Sequence, residues 1–424
     1  MKQNSTQIQK YNWGPIIIIG ILFFLFGFVT WLNATLIPYL KIACELTDFE
    51  AYLVTTAFYI SYFVMAIPSS FILEKVGFKK GMALGLLVMA VGSLIFVPAA
   101  MTRMYSLFLF GLFVQGLGLA ILQTASNPYI TILGPIESAA KRISMMGIAN
   151  KVAGILSPII LGVIILDGTD TLIVELEGMD ILQKAAELDL LASKVILPYI
   201  VMAGALVLLS VLIRFAPLPE IEEEDEEEGL TSTFSKVKAV LKVPYLVLGF
   251  FAIFFYLGAE VIPVDSMSLY GNHLGFSNEE SKFFASFTLS GMLLGYIFGI
   301  IAIPKFISQQ KALQYFAMLG ILFTCGVILF DGKTSIIFLA LLGFSNSIMW
   351  PAIWPLAIDG LGKLTKIGSA ILIMGIAGGA ILTPFFAKVT EWMDGNMQQA
   401  YFIIIFFYIY ILFYANWGSK MGKK

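Results

Sequence analysis

Glu260 stands about 15 residues into the apolar run Tyr245–Tyr270, or about 22 Å along a helix axis. A carboxylate in hydrocarbon is costly unless it is paired, protonated or bound to an ion. Its oxygens suit a hard cation, so Glu260 is the first candidate for a cation-coupling site, taking Na+ or H+. The alternative is a structural carboxylate satisfied by neighbouring helices. Asp265 follows in the same run, past the kink expected at Pro263, either as a second coupling group or as a hydrated acid near the surface. Lys151 lies about 8 residues inside the run Ile143–Leu166, about 12 Å deep and beyond easy snorkelling. It reads as a counter-charge that changes partner during a working cycle or as half of a static ion pair.

Two stripes of uncharged polar chemistry accompany these charges. Gln115, Gln123 and Asn127 recur at i, i+8 and i+12 in the run Tyr105–Gly134, close to one helix face. Asn346, Trp350 and Trp354 recur at i, i+4 and i+8 in Ser335–Ile358. Amides exchange hydrogen bonds with hydroxyls, and flat indoles cover the apolar C–H face of a sugar ring. The stripes therefore suit a neutral, polyhydroxylated ligand, and Thr30, Trp31 and Asn33 in Gly14–Leu40 read the same way. Interhelical amide bonds and tryptophan packing are the alternative.

Other chemistries lack their residues. His273 is the only histidine, which leaves no metal-binding histidine pair and no Ser-His or Cys-His catalytic pair, and no G-x-x-x-x-G-K-[ST] phosphate loop occurs. Cys44 and Cys325 are too far apart in the chain to suggest a disulfide framework or a metal site. A formal net charge of −2 without a basic patch excludes nucleic-acid binding as an expectation. The chain is not expected to be an enzyme, and no cofactor is expected beyond the coupling ion.

The elements that must hold these residues follow from composition. Of the 424 residues 59% are apolar and 13% charged, far from a soluble domain, and a bilayer span needs about 20 apolar residues. Twelve spans emerge: Gly14–Leu40, Tyr52–Leu73, Met82–Met101, Tyr105–Gly134, Ile143–Leu166, Val195–Phe215, Tyr245–Tyr270, Phe283–Ile303, Ala312–Phe330, Ser335–Ile358, Ile367–Ala387 and Tyr401–Trp417. The fold class is an all-α membrane protein with membrane lipid as its solvent. Residues 1–216 form one six-helix half and 243–424 the other. Between them, 217–242 form a linker in which Glu220 and Glu222 through Glu228, with Asp225 among them, cannot pack into a core.

Most of the 26 lysines and arginines fall into alternate loops, and the excess of positive charge marks the cytoplasmic side. Both termini and the linker are expected there, and the acid-rich loop Asp167–Lys194 on the opposite side. The polar start, Met1 to Asn12, carries no small-residue cleavage pattern, so no removable leader is expected. The halves also repeat: Leu32-Asn33-Ala34-Thr35-Leu36-Ile37-Pro38 aligns with Leu257-Gly258-Ala259-Glu260-Val261-Ile262-Pro263, and Met146-Gly147-Ile148-Ala149 with Met374-Gly375-Ile376-Ala377. Such repeats place a binding site between the halves near the midplane.

Six plus six helices, a charged central loop and the basic turn Glu74-Lys75-Val76-Gly77-Phe78-Lys79-Lys80 resemble the major facilitator superfamily. Leu122-Gln123-Thr124-Ala125-Ser126-Asn127-Pro128-Tyr129-Ile130-Thr131-Ile132-Leu133-Gly134-Pro135, together with Leu32–Pro38, resembles the bacterial fucose/glucose/galactose permease family and its glucose/galactose branch more closely. In the fucose branch, acids stand at the positions of Ala34 and Gln123 and take part in proton coupling, a scheme this chain cannot reproduce at those positions. The resemblance implies a secondary active transporter of a glucose- or galactose-like monosaccharide in a bacterial cytoplasmic membrane, working as a monomer. It also implies cation coupling with Na+ ranked before H+ and uncoupled uniport third. Thr30, Asn33, Gln115, Gln123, Asn127, Asn346, Trp350 and Trp354 would line the sugar cavity; Glu260, Asp265 and Lys151 would form the coupling site. Other sugars (fucose, mannose, N-acetylglucosamine), a drug exporter and a transporter-like sugar sensor are the rival expectations.

Overall fold

The computed structural model describes residues 13–132, 139–216, 218, 233–303 and 305–423. The acidic part of the linker lies outside these residues. Among the described residues twelve helices are long and apolar enough to cross a bilayer: spans 1 to 6 are Gly14–Ala43, Asp48–Ser69, Lys75–Thr102, Tyr105–Ser126, Met145–Ile165 and Ile181–Phe215. Spans 7 to 12 are Pro244–Asp265, Asn278–Ala302, Gln309–Leu329, Gly332–Ile358, Ile367–Trp392 and Met397–Lys420. Leu208, Leu294 and Leu322 turn outward, each about three-fifths exposed, a surface that lipid must cover.

The expected spans and the helices agree to within a few residues at most ends, because span length is set by bilayer thickness rather than by packing detail. The turn between spans 2 and 3 rests on Gly77, whose φ of 77° puts it in a region that side chains rarely adopt. Span 1 is interrupted at Leu32, between helices Trp13–Trp31 and Asn33–Ala43. Span 10 is interrupted between Gly332–Asn346 and Met349–Ile358, and span 11 between Thr365–Met374 and Ala377–Trp392. Leu32, Ser347, Ile348, Gly375 and Ile376 all keep right-handed helical dihedrals at these points, so the spans are locally loosened rather than unwound.

The segment Asp167–Lys194 is not an irregular loop as expected. It folds into helices Thr169–Leu176 and Ile181–Ser193, the second opened by Asp180, whose carboxylate accepts the N–H groups of Leu182 and Gln183 at 2.9 Å. Leu188, Leu191 and Ala192 are buried on one face of that second helix, and the Tyr39 hydroxyl of span 1 donates to the carbonyls of Leu191 and Ala192 at 2.9 and 2.8 Å. Charge density hid this short amphipathic pattern from the reading by hydropathy.

The two halves are clasped at the end of the bundle away from the termini. Asp170 accepts the backbone N–H of Asn278 at 2.9 Å, the Asn278 amide at 2.8 Å and the backbone N–H of Glu279 at 2.9 Å. In return the Glu279 carboxylate accepts the N–H of Gly168 at 2.8 Å, and buried Lys282 pairs with Glu279 and with Asp167, the latter at 3.4 Å. Hydrogen bonds to a charged group are each worth about 1.5–3 kcal/mol, less at a wet rim. Asp170→Ala is therefore expected to shift the balance between clasped and open far ends by about tenfold. The check is the spin-label distance between cysteines at exposed Glu177 and Lys333, in a background with Cys44 and Cys325 replaced by serine, which should lengthen in a larger share of molecules.

Candidate functional site

An ion pair joins the halves inside the membrane-spanning region. Lys151 Nζ of span 5 lies 2.9 Å from Glu260 Oε1 of span 7, with side chains only 6% and 9% exposed. Each charge answers the desolvation cost of the other, so the two residues that looked costly in the sequence are partners. The Trp31 ring covers the ammonium at 4.3 Å from the ring centre, a cation–π contact strengthened by burial. Gly27 makes this placement possible: a Cβ there would stand 1.9 Å from the Asn150 carbonyl oxygen, so only glycine lets span 1 approach span 5 at that level. The Trp31 indole N–H points to Asn150 Oδ1 at 3.5 Å, and the Asn150 amide donates to the Phe23 carbonyl at 3.4 Å.

Aromatic surface from both halves surrounds the pair. Tyr256, one turn before Glu260, interacts with its carboxylate and lies 6.3 Å from Trp350, which stacks on Trp354 at 5.3 Å and 25°. Both indoles are half-buried, so each keeps a face for another ring or ligand. From span 4, the Gln123 amide donates to the Tyr62 hydroxyl at 3.1 Å. Tyr62 stacks on Tyr59 at 6.2 Å, and Tyr59 is close enough to feel the charges of both Glu260 and Asp265.

Asn33 opens the second half of the interrupted span 1. It is fully buried, and neither its amide nitrogen nor its oxygen has a hydrogen-bond partner; the Thr35 hydroxyl is in the same position. Such orphans cost about 1–3 kcal/mol each unless a ligand or water answers them. Asn33→Leu, similar in shape, is expected to leave thermal stability unchanged or raised while lowering transport about tenfold, measured as melting temperature and counterflow rate on the same preparation.

The family model described as Major Facilitator Superfamily matches residues 19–384. The chain belongs to that superfamily. Within it, a glucose/galactose transporter of Brucella abortus (strain 2308) is 32% identical over 422 residues, spanning 98% of this chain and 97% of the relative. The L-fucose-proton symporter of Escherichia coli (strain K12) is 29% identical over 423 residues, 97% of this chain and 94% of the relative. The crystal structure of the E. coli fucose:proton symporter matches with a TM-score of 0.75 at 28% identity, covering 95% of this chain and 97% of that one. These likenesses place the protein in the fucose/glucose/galactose permease family, as the motifs in spans 1 and 4 implied.

As a major facilitator, the chain divides its candidate residues into two groups. Trp31 covers the ammonium of the ion pair, Trp350 with Trp354 stacked on it reaches the pair through Tyr256, and Gln123 reaches it only through Tyr62 and Tyr59. Gln115 and Asn346, expected in the sugar cavity, do not present free amides. Gln115 is buried in the first half and donates to Ser93 Oγ at 2.7 Å. Asn346 donates to the Ala259 carbonyl at 2.7 Å and accepts from the Tyr408 hydroxyl at 2.9 Å, which fixes span 7 immediately before Glu260. Both are interhelical stitches, the alternative the sequence had left open. Helical spacing tells which residues share a face, not what that face meets. Thr30 is half-buried on span 1, and the side chain of Asn127 lies outside the described residues. Asp265 is not a hydrated surface acid: it is 1% exposed. Tyr59, Tyr62 and Tyr256 went unread because tyrosines in apolar runs do not stand out; the i, i+3 spacing of Tyr59 and Tyr62 was the available signal.

Proposed function

We propose that this major facilitator is a sugar transporter that carries a glucose- or galactose-like monosaccharide into the cell across a bacterial cytoplasmic membrane, its termini on the cytoplasmic side, by alternating access of the two halves. The observation that supports this most is the cluster of half-buried stacked indoles, tyrosines and the Gln123 amide contributed by both halves around one buried ion pair. Indole faces cover sugar C–H groups and amides exchange hydrogen bonds with hydroxyls, and the relatives named for glucose, galactose and fucose agree with that chemistry. Asn33, Thr30 and Asn127 complete the proposed lining.

A coupling ion drives net uptake only through differential affinity for the two conformations. The resemblance ranked Na+ first. Lys151 Nζ already neutralises Glu260 at 2.9 Å, and a second cation at that carboxylate would meet a like charge, so the Glu260 site does not fit Na+ in this conformation. The same like charge opposes a proton at Glu260 while Lys151 is in place; the relatives named as fucose-proton symporters support H+ instead, and we take it as the driving ion.

Counterflow of labelled glucose and galactose in proteoliposomes tests the substrate class. Exchange with one or both hexoses, and their accumulation when the outside is made acid at fixed Na+, is the expected result. Absence of hexose exchange alongside expulsion of a lipophilic cation would overturn the sugar reading, and accumulation driven by Na+ alone would overturn the proton reading.

A further inference from the structure

Asp265 is a second membrane-embedded acid, and unlike Glu260 it has no counter-ion. It ends the span 7 helix Pro244–Asp265 at the clasped far end, 1% exposed. Its Oδ2 accepts a hydrogen bond from the Thr55 hydroxyl of span 2 at 2.5 Å. Among the described residues no lysine, arginine or histidine lies within ion-pair distance of it. Span 2 faces it with Tyr52 and Tyr59, whose phenols feel its charge. Ser266, next to it, bonds the Tyr401 hydroxyl of span 12 at 2.6 Å. Two lysines at this end are paired elsewhere: Lys41 with Asp48 at 2.5 Å and Lys388 with Glu391 at 2.5 Å. On its own helix Glu260, five residues earlier, is held by Lys151.

Thr55 belongs to the first half and Asp265 to the second, so closing the far end is what buries this carboxylate. One hydroxyl donor is poor compensation for a charge removed from water, and nothing else on the closing surface supplies it. We infer that Asp265 must take up a proton before the far end can close, making the Thr55–Asp265 contact a proton-gated seal. The proton comes from the solution facing the open far end and binds the carboxylate, converting it to the neutral acid. Opening returns the group to water on the same side, where it gives the proton back, so this proton gates closure and is not itself carried across. This goes beyond the proton-coupled reading above: it makes closure of the far end depend on acid whatever ion drives net uptake.

The far-end clasp would respond to acid in the opposite sense. Asp167, Asp170 and Glu279 accept hydrogen bonds or ion pairs as carboxylates, so protonating them loosens the clasp, whereas protonating Asp265 tightens the seal. The Glu177/Lys333 spin-label pair separates the two effects, read at a series of pH values with Na+ fixed and again at a series of Na+ concentrations with pH fixed. The wild-type protein is expected to gain the short-distance population as pH falls, with no response to Na+. Asp265→Asn, neutral at every pH, is expected to show the short distance already at neutral and alkaline pH, to lose the wild type's acid-driven gain, and to lengthen only where the clasp carboxylates take up protons. Thr55→Val removes the one donor that favours the ionised form, so its closing midpoint should move up by about 1 pH unit. A wild-type distance that ignores pH, or a pH response unchanged in Asp265→Asn, overturns the seal. Because these distances need no sugar, failure of hexose counterflow would sink the substrate reading and leave this result standing on its own.

Discussion

Lys151→Ala is expected to cost about 3–5 kcal/mol of stability, the range for removing one partner of a buried ion pair. It should abolish gradient-driven accumulation as well. The loss comes from the charge left behind: Glu260 would remain buried on span 7 with the Trp31 ring, the stacked indoles and Tyr256 around it, none of which can replace an ammonium. Removing both charges tests this explanation. Lys151→Met combined with Glu260→Leu is expected to recover most of the stability, since a well-packed apolar pair often equals or exceeds a buried ion pair, while accumulation stays lost. Thermal unfolding in detergent measures the first quantity and proteoliposome uptake the second. If the double variant were as unstable as the single one, the 2.9 Å contact would be a by-product of packing and not an energetic partnership.

Trp350→Ala carries the second large effect, on affinity. Trp350 stacks on Trp354 at 5.3 Å and lies 6.3 Å from Tyr256, yet remains half-buried, so its removal alters the proposed sugar-facing surface more than the core. A lost aromatic face is worth about 2 kcal/mol once buried area is included, or about a 30-fold rise in the hexose dissociation constant. Trp350→Phe should retain most of the affinity, because it keeps an apolar ring in the stack. Tryptophan-fluorescence quenching or isothermal titration with glucose and galactose provides the measurement. Equal affinities in Trp350→Ala and the wild type would remove the indole pair from the site.

The twelve spans were legible because hydrocarbon imposes a length on every helix that crosses it, independent of which helices touch. What crosses between spans was not. Lys151 and Glu260 are 109 residues apart, and each announced itself only as an isolated cost; their partnership depends on how spans 5 and 7 pack. Gln115 and Asn346 show the converse. Their stripes placed them correctly on helix faces, but one face meets Ser93 and the other meets span 7, so amides that periodicity made look available are already committed. Asp265 seemed close enough to the helix end to be wet, and its burial became visible only with Thr55 placed against it from the other half. The helices in Thr169–Ser193 were missed because a charged, short amphipathic segment resembles a loop when hydropathy alone is read.

The central claim is that a cation gradient drives a monosaccharide through the site organised by the Lys151–Glu260 pair. Glu260→Gln keeps the size of the side chain and removes its charge. The most direct test measures hexose accumulation under an imposed gradient and hexose counterflow without one, on the same proteoliposomes. The account expects accumulation to be lost while counterflow persists in part. Gradient-driven accumulation equal to the wild type would contradict it.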